Sequence, residues 1–230
     1  MKYFLASNPV QFSSLAIRTE YGFLERLRAE LKSEYCALFI CSAPDNPIFT
    51  DKYAQDMKQA FEDADLSFQD FQVLDRRNQA DAVNLVGQAD VIFLAGGHVP
   101  TQNAFFQEIG LAELLAGTDK IIIGTSAGSM NSASLVYAQP EEEGEAISST
   151  CERFLPGLGL TDMMIVPHYQ DIKDQVLDGM RIIEDITLPD SQGRVFHLLE
   201  DGAYLYGDED GETLYGPVYL AKDGQLTVLQ

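Results

Sequence analysis

The sequence predicts an α/β fold: a three-layer sandwich with a mostly parallel central sheet covered by helices on both faces, and β-hairpins toward the C-terminus. Three observations predict it. Short continuous apolar runs alternate with amphipathic stretches from the N-terminus to residue 125. Strands that are apolar on both sides belong in a sheet buried on both sides. The run Ile121-Ile122-Ile123 leads straight into Gly124-Thr125-Ser126-Ala127-Gly128, a strand, tight turn and helix start with serine at the turn. From Arg194 onward, apolar runs are broken at Gly202, Gly207, Gly211, Gly216 and Gly224, which is the spacing of hairpins.

Taken in order, residues 3–7 form a strand. Residues 21–31 form a helix, with Phe23, Leu24, Leu27 and Leu31 at helical spacing. Residues 36–41 are a continuous apolar strand whose Cys36 and Cys41 read as buried thiols. Tyr53, Met57, Ala60 and Phe61 share one face of a helix over 51–64. Strands are expected at 68–74 and 91–95, with a short helix at 80–85 between them. A helix over 101–115 has Thr101 as its N-cap. Residues 139–149 are a loop carrying the run Glu141-Glu142-Glu143-Gly144-Glu145. Residues 163–166 form a strand ending in Pro167-His168, and residues 172–186 a helix. No repeat, linker or low-complexity segment divides the chain, so residues 1–230 read as one domain.

Composition narrows the function. Fifteen basic and 36 acidic residues give a net charge of −21, which argues against nucleic acid and anionic membranes as partners. Three cysteines without Cys-x-x-Cys spacing imply neither a metal site nor a disulfide framework. No apolar stretch is long enough for a membrane span, and the N-terminal apolar run is too short for a signal peptide. A cytoplasmic enzyme without cofactor or metal is expected; monomer and homodimer both fit.

The chemistry centres on Ser126. Small neighbours at Gly124, Ala127 and Gly128 let a serine sit on a sharp strand-to-helix turn with its hydroxyl pushed out of the sheet. The Ala127 N–H, at the helix start, faces a developing oxyanion. Gly96-Gly97 ends another strand at the same sheet edge and offers the second donor from Gly97, with Gly96 lining the site. An activated serine needs a base. His168 follows a strand end and fits that role; His98 is a candidate lining residue, and His197 lies in a strand interior and reads as packing. Glu141, Glu142, Glu143 and Glu145 all lie between Ser126 and His168 as candidate carboxylates to orient the imidazole.

Together, the strand plus Gly96-Gly97, the Gly124–Gly128 elbow, Pro167-His168-Tyr169 and Glu200-Asp201-Gly202 resemble the serine exopeptidase family of aspartyl dipeptidase (dipeptidase E) and cyanophycinase. The resemblance covers most of the chain. It implies a fold akin to class I glutamine amidotransferases, with Ser126 as nucleophile, His168 as base, and Gly97 and Ala127 as oxyanion donors. The dipeptidase's third triad member, counted from the serine without a gap, falls on Glu141, with Glu143 close by. The implied substrate is a short peptide. The dipeptidase has an arginine-rich segment after its Pro-His; here residues 169–175 are acidic and polar, with Lys173 and Arg181 the only nearby cations. A strict preference for an N-terminal aspartate is therefore not expected. An α/β-hydrolase esterase shares the elbow and the order serine, acid, histidine, but lacks its His-Gly-Gly-Gly motif here. A catalytically silent ligand-binding relative is the remaining alternative.

Overall fold

In the computed structural model, which describes residues 1–11 and 13–230, the apolar runs assemble a seven-stranded sheet. Its order is Gly211–Tyr215, Tyr204–Asp208, Lys2–Ala6, Ile121–Thr125, Val91–Leu94, Cys36–Ile40 and Asp70–Leu74. The last five run parallel, and the first two form an antiparallel hairpin along the edge of Lys2–Ala6.

Strand side chains alternate between faces, and this sorts the core into two layers. Leu5, Leu38, Ile40, Ile92, Leu94 and Ile122 pack on one side against Phe105, Phe106, Leu111 and Leu115. Phe4, Phe39, Val91, Phe93 and Ile123 pack on the other against Phe23, Leu27, Met57 and Phe61. Phe93 meets Phe61 edge-on at 4.9 Å between ring centroids, a geometry that suits the ring quadrupoles.

A second, four-stranded sheet has the order Met164–Val166, Val195–Leu199, Val218–Lys222, Gln225–Val228. Its first pair is parallel and the others antiparallel; the expected C-terminal hairpins are Val218–Lys222 with Gln225–Val228 here and Tyr204–Asp208 with Gly211–Tyr215 in the large sheet. Tyr137 stacks on Phe196 at 4.2 Å beneath it. No described helix is long and apolar enough to cross a membrane.

Several local expectations change. The helix expected over 51–64 starts earlier, at Pro47, because Asn46 caps it by accepting from the Phe49 N–H at 3.2 Å. The helix expected over 101–115 is two helices, Val99–Glu108 and Leu111–Leu115, separated at Gly110 with φ 63°. Its N-cap position is His98 rather than Thr101. Cys36 is half-buried; Cys41 is buried as expected. The largest departure is the helix expected over 172–186. Val176–Leu177 and Met180–Arg181 instead form a hairpin around Asp178-Gly179, both at positive φ, followed by a π turn at Ile182–Thr187. An Asp-Gly pair takes the two positive φ values of a two-residue turn at little cost, which outweighs the helical spacing of the apolar residues around it.

Candidate active site

Every parallel strand of the large sheet delivers its C-terminal end to one edge, where open α/β sheets bind ligands. Ser126 leaves the end of Ile121–Thr125 and immediately starts the helix Ala127–Met130. This forces Ser126 to φ 49°, ψ −112°, a conformation costing a non-glycine residue about 1–3 kcal/mol. The surroundings hold it there. The Ala6 carbonyl accepts from the Ser126 N–H at 3.1 Å and from Ser129 Oγ at 2.8 Å. The buried Asn131 amide donates to Gln102 Oε1 at 3.0 Å, fastening the elbow to the helix Val99–Glu108. A Cβ at Gly128 would strike the Leu94 carbonyl, and one at Gly124 would meet Ser129 and Leu5 within 3.0 Å. Both flanking glycines are therefore needed for the turn to lie on the sheet.

His168 comes from the second sheet. Met164–Val166 pairs in parallel with Val195–Leu199, with Val166 opposite Leu198. Two residues beyond one strand end stands His168; two beyond the other stands Asp201. His168 Nε2 is 3.0 Å from Ser126 Oγ, and His168 Nδ1 is 2.7 Å from Asp201 Oδ1. With the Nδ1–H tautomer, the ring donates to Asp201 and accepts from the serine hydroxyl.

Asp201 is itself held. Ser7 Oγ donates to it at 2.9 Å and accepts the His168 N–H at 2.8 Å, so one hydroxyl fixes both partners. Asn8 Nδ2 donates at 3.3 Å and Arg18 Nη2 at 3.5 Å. Burial pushes the Asp201 carboxyl up, but hydrogen bonds from His168, Ser7 and Asn8 and the attraction of His168 prevail, leaving it at about 2.

The candidate oxyanion donors follow from peptide geometry. Ser42 Oγ donates to the Gly96 carbonyl at 2.6 Å. In a trans peptide the next N–H points the opposite way, so the Gly97 N–H turns away from Ser42; Gly97 and Ser126 line the same cavity. Neither the Gly97 N–H nor the Ala127 N–H has an acceptor among the described residues. Gly97 has φ 150°, and a Cβ there would collide with Ser42 Oγ. Gly97→Ala is therefore expected to rotate this peptide and lower kcat roughly 100- to 1,000-fold, measured by steady-state hydrolysis with a thermal melt as the folding control.

Ser126, His168, Gly96, Gly97 and Glu141 line one cavity of about 510 Å³. Glu141 reaches this cavity but not His168; the carboxylate at Nδ1 is Asp201. The reason is topological. Glu141 rides a loop beside the elbow, whereas His168 Nδ1 faces the end of its parallel neighbour strand. Glu143 is exposed and does not line the cavity. His98 does not line it either: its Nδ1 pairs with Thr101 Oγ1 at 2.7 Å and its Nε2 with Glu145 at 2.9 Å. His197 sits inside its strand with Nδ1 unpartnered among the described residues, and burial lowers its pKa. Arg181 is taken up by Asp185 at 2.7 Å. Two groups, His98 with Glu142 and Glu145, and His168 with Asp171 and Asp201, bring metal-ligating atoms within 4.8 Å of one another. In the second, both ring nitrogens of His168 are already engaged. Asp201 had a visible signal, an acidic residue just past an apolar strand in Glu200-Asp201-Gly202, the same placement that pointed to His168.

No curated protein matches the chain. Over its whole length the fold resembles a peptidase from an acI-B1 Actinobacterium, at 16% identity and TM-score 0.61, covering 93% of that chain. It also resembles a protein designated peptidase E from Listeria monocytogenes EGD-e, at 16% identity and TM-score 0.61, over 93% of this chain and 96% of that one. The model of peptidase family S51 matches residues 18–214. The chain belongs to peptidase family S51 and is a serine-type peptidase.

Proposed function

We propose that this peptidase hydrolyses short, dipeptide-like substrates through an acyl-enzyme on Ser126. The observation that carries the reading is the line Asp201–His168–Ser126, at 2.7 and 3.0 Å, opening into a cavity with two unclaimed backbone N–H groups. Ser126 Oγ attacks the scissile carbonyl while His168 Nε2 takes its proton. The negative charge that develops on the carbonyl oxygen is met by the Gly97 and Ala127 N–H groups. Asp201 holds the imidazole tautomer and stabilises the imidazolium. His168 then protonates the leaving amine, and water, deprotonated by the same nitrogen, releases the acyl group. A cavity of about 510 Å³ suits a small ligand. The free thiols Cys36, Cys41 and Cys151 favour a reducing compartment such as the cytoplasm.

The test is acylation. A fluorophosphonate probe is expected to label Ser126, and peptide mapping locates the adduct. Absence of an adduct on folded protein that still releases amines from dipeptides would sink the mechanism.

A further inference from the structure

Glu141 lines the same cavity as the nucleophile, and no described residue donates a hydrogen bond to its carboxylate. The other charges on that wall cancel: Lys52 and Asp56 pair with each other one helical turn apart. Arg18 is engaged with Asp201 and Glu20, and Arg181 with Asp185. Among the described residues the cavity thus presents one uncompensated carboxylate and no free guanidinium.

The loop that carries Glu141 is anchored. The Glu145 carboxylate accepts from the Glu141 N–H at 2.8 Å and the Glu142 N–H at 2.9 Å, and meets His98 Nε2 on the far side at 2.9 Å. His98 directly follows Gly97, so this contact ties the loop to the oxyanion strand. From the other side, the Asp178 carboxylate accepts from Gly144 at 2.9 Å and from Ala146 at 3.0 Å. A charge held on a fixed loop costs little ordering when a ligand arrives. Glu141 is exposed at the cavity wall, so burial does not govern its charge; the neighbouring Glu145 and Glu142 carboxylates push its carboxyl up. A cation beside it would reverse that penalty, and a chain of net charge −21 draws cations toward the cavity.

We infer that Glu141 is a substrate-binding residue that takes a cationic group carried by the residue N-terminal to the scissile bond. This rests on the hydrolytic reading above. It sets the site apart from one that selects an N-terminal aspartate, whose side chain would meet a like charge. A free α-ammonium and a basic side chain share the required chemistry.

The test separates these sources and does not depend on turnover. In the Ser126→Ala protein, calorimetric titration compares arginine amide, alanine amide, N-acetylarginine amide and N-acetylalanine amide. Adding Glu141→Gln is expected to weaken the cationic ligands roughly 10- to 100-fold, while N-acetylalanine amide changes by less than about twofold. Dependence on Glu141 that persists with alanine amide assigns the α-ammonium; dependence that persists with N-acetylarginine amide assigns the side chain. Glu141→Lys provides the converse arm and should favour N-acetylaspartate amide. Equal changes across all four ligands, no change in any, or no cation binding at all overturns the inference. Loss of fluorophosphonate labelling in the wild type would instead sink the serine mechanism and leave the titration standing.

Discussion

Replacing Ser126 with alanine is expected to lower kcat for dipeptide hydrolysis by roughly 10,000- to 1,000,000-fold, to the residual level that oxyanion donors and binding alone support. Fluorophosphonate labelling should vanish with it. The fold should not change. Alanine fits the space, and the backbone hydrogen bond from residue 126 to Ala6 remains. Among the described residues the serine hydroxyl bonds to His168 alone, so nothing structural depends on it. The strained φ of 49° stays as well, so the urea midpoint should match the wild type. Retained turnover on the folded variant would remove Ser126 from the mechanism.

The second large effect is expected at Asp201. Asp201→Asn keeps the shape but changes what His168 Nδ1 faces. An amide N–H there pairs with an unprotonated Nδ1, which leaves the proton on Nε2, where it cannot accept from Ser126. A fall in kcat of roughly 1,000- to 10,000-fold follows. Glu141→Gln, by contrast, should leave fluorophosphonate acylation of Ser126 intact, so the pair of variants decides which carboxylate orients the base. Equal acylation rates in wild type and Asp201→Asn would refute the assignment.

The same residue shapes stability in acid. The Asp201 carboxyl lies at about 2, below the ordinary value of 3.8. A depressed folded-state value means the carboxylate stabilises the native state fully above 3.8 and loses that contribution as pH falls toward 2. Urea midpoints measured from pH 6 down to pH 2 should fall more steeply for wild type than for Asp201→Asn below pH 4.

Much of this molecule could be read from residues alone because it is local. A strand meeting Gly124-Thr125-Ser126-Ala127-Gly128 leaves few conformations, since larger residues at positions 124 and 128 would collide with Ser129 and with the Leu94 backbone. Gly96-Gly97 and Pro167-His168 also announce themselves as ends of apolar runs. The 172–186 region was misleading because helical spacing and an Asp-Gly turn compete in one segment, and the backbone preference of Asp178-Gly179 prevailed.

The carboxylate beside His168 was harder to assign, for a different reason. Counting forward from the serine lands on Glu141, and that loop does reach the cavity. Which carboxylate meets His168 Nδ1, however, depends on which strand lies beside Met164–Val166. That neighbour is Val195–Leu199, far along the chain, and its parallel register places Asp201 next to His168. By itself the sequence determined the two-faced sheet, the elbow and the base, since each follows from side-chain period and turn sterics within a few residues. Only the tertiary structure decided that Asp201 meets His168 while Glu141 lines the cavity instead, because strand pairing between distant segments is set by burial of the whole sheet, not by any local pattern.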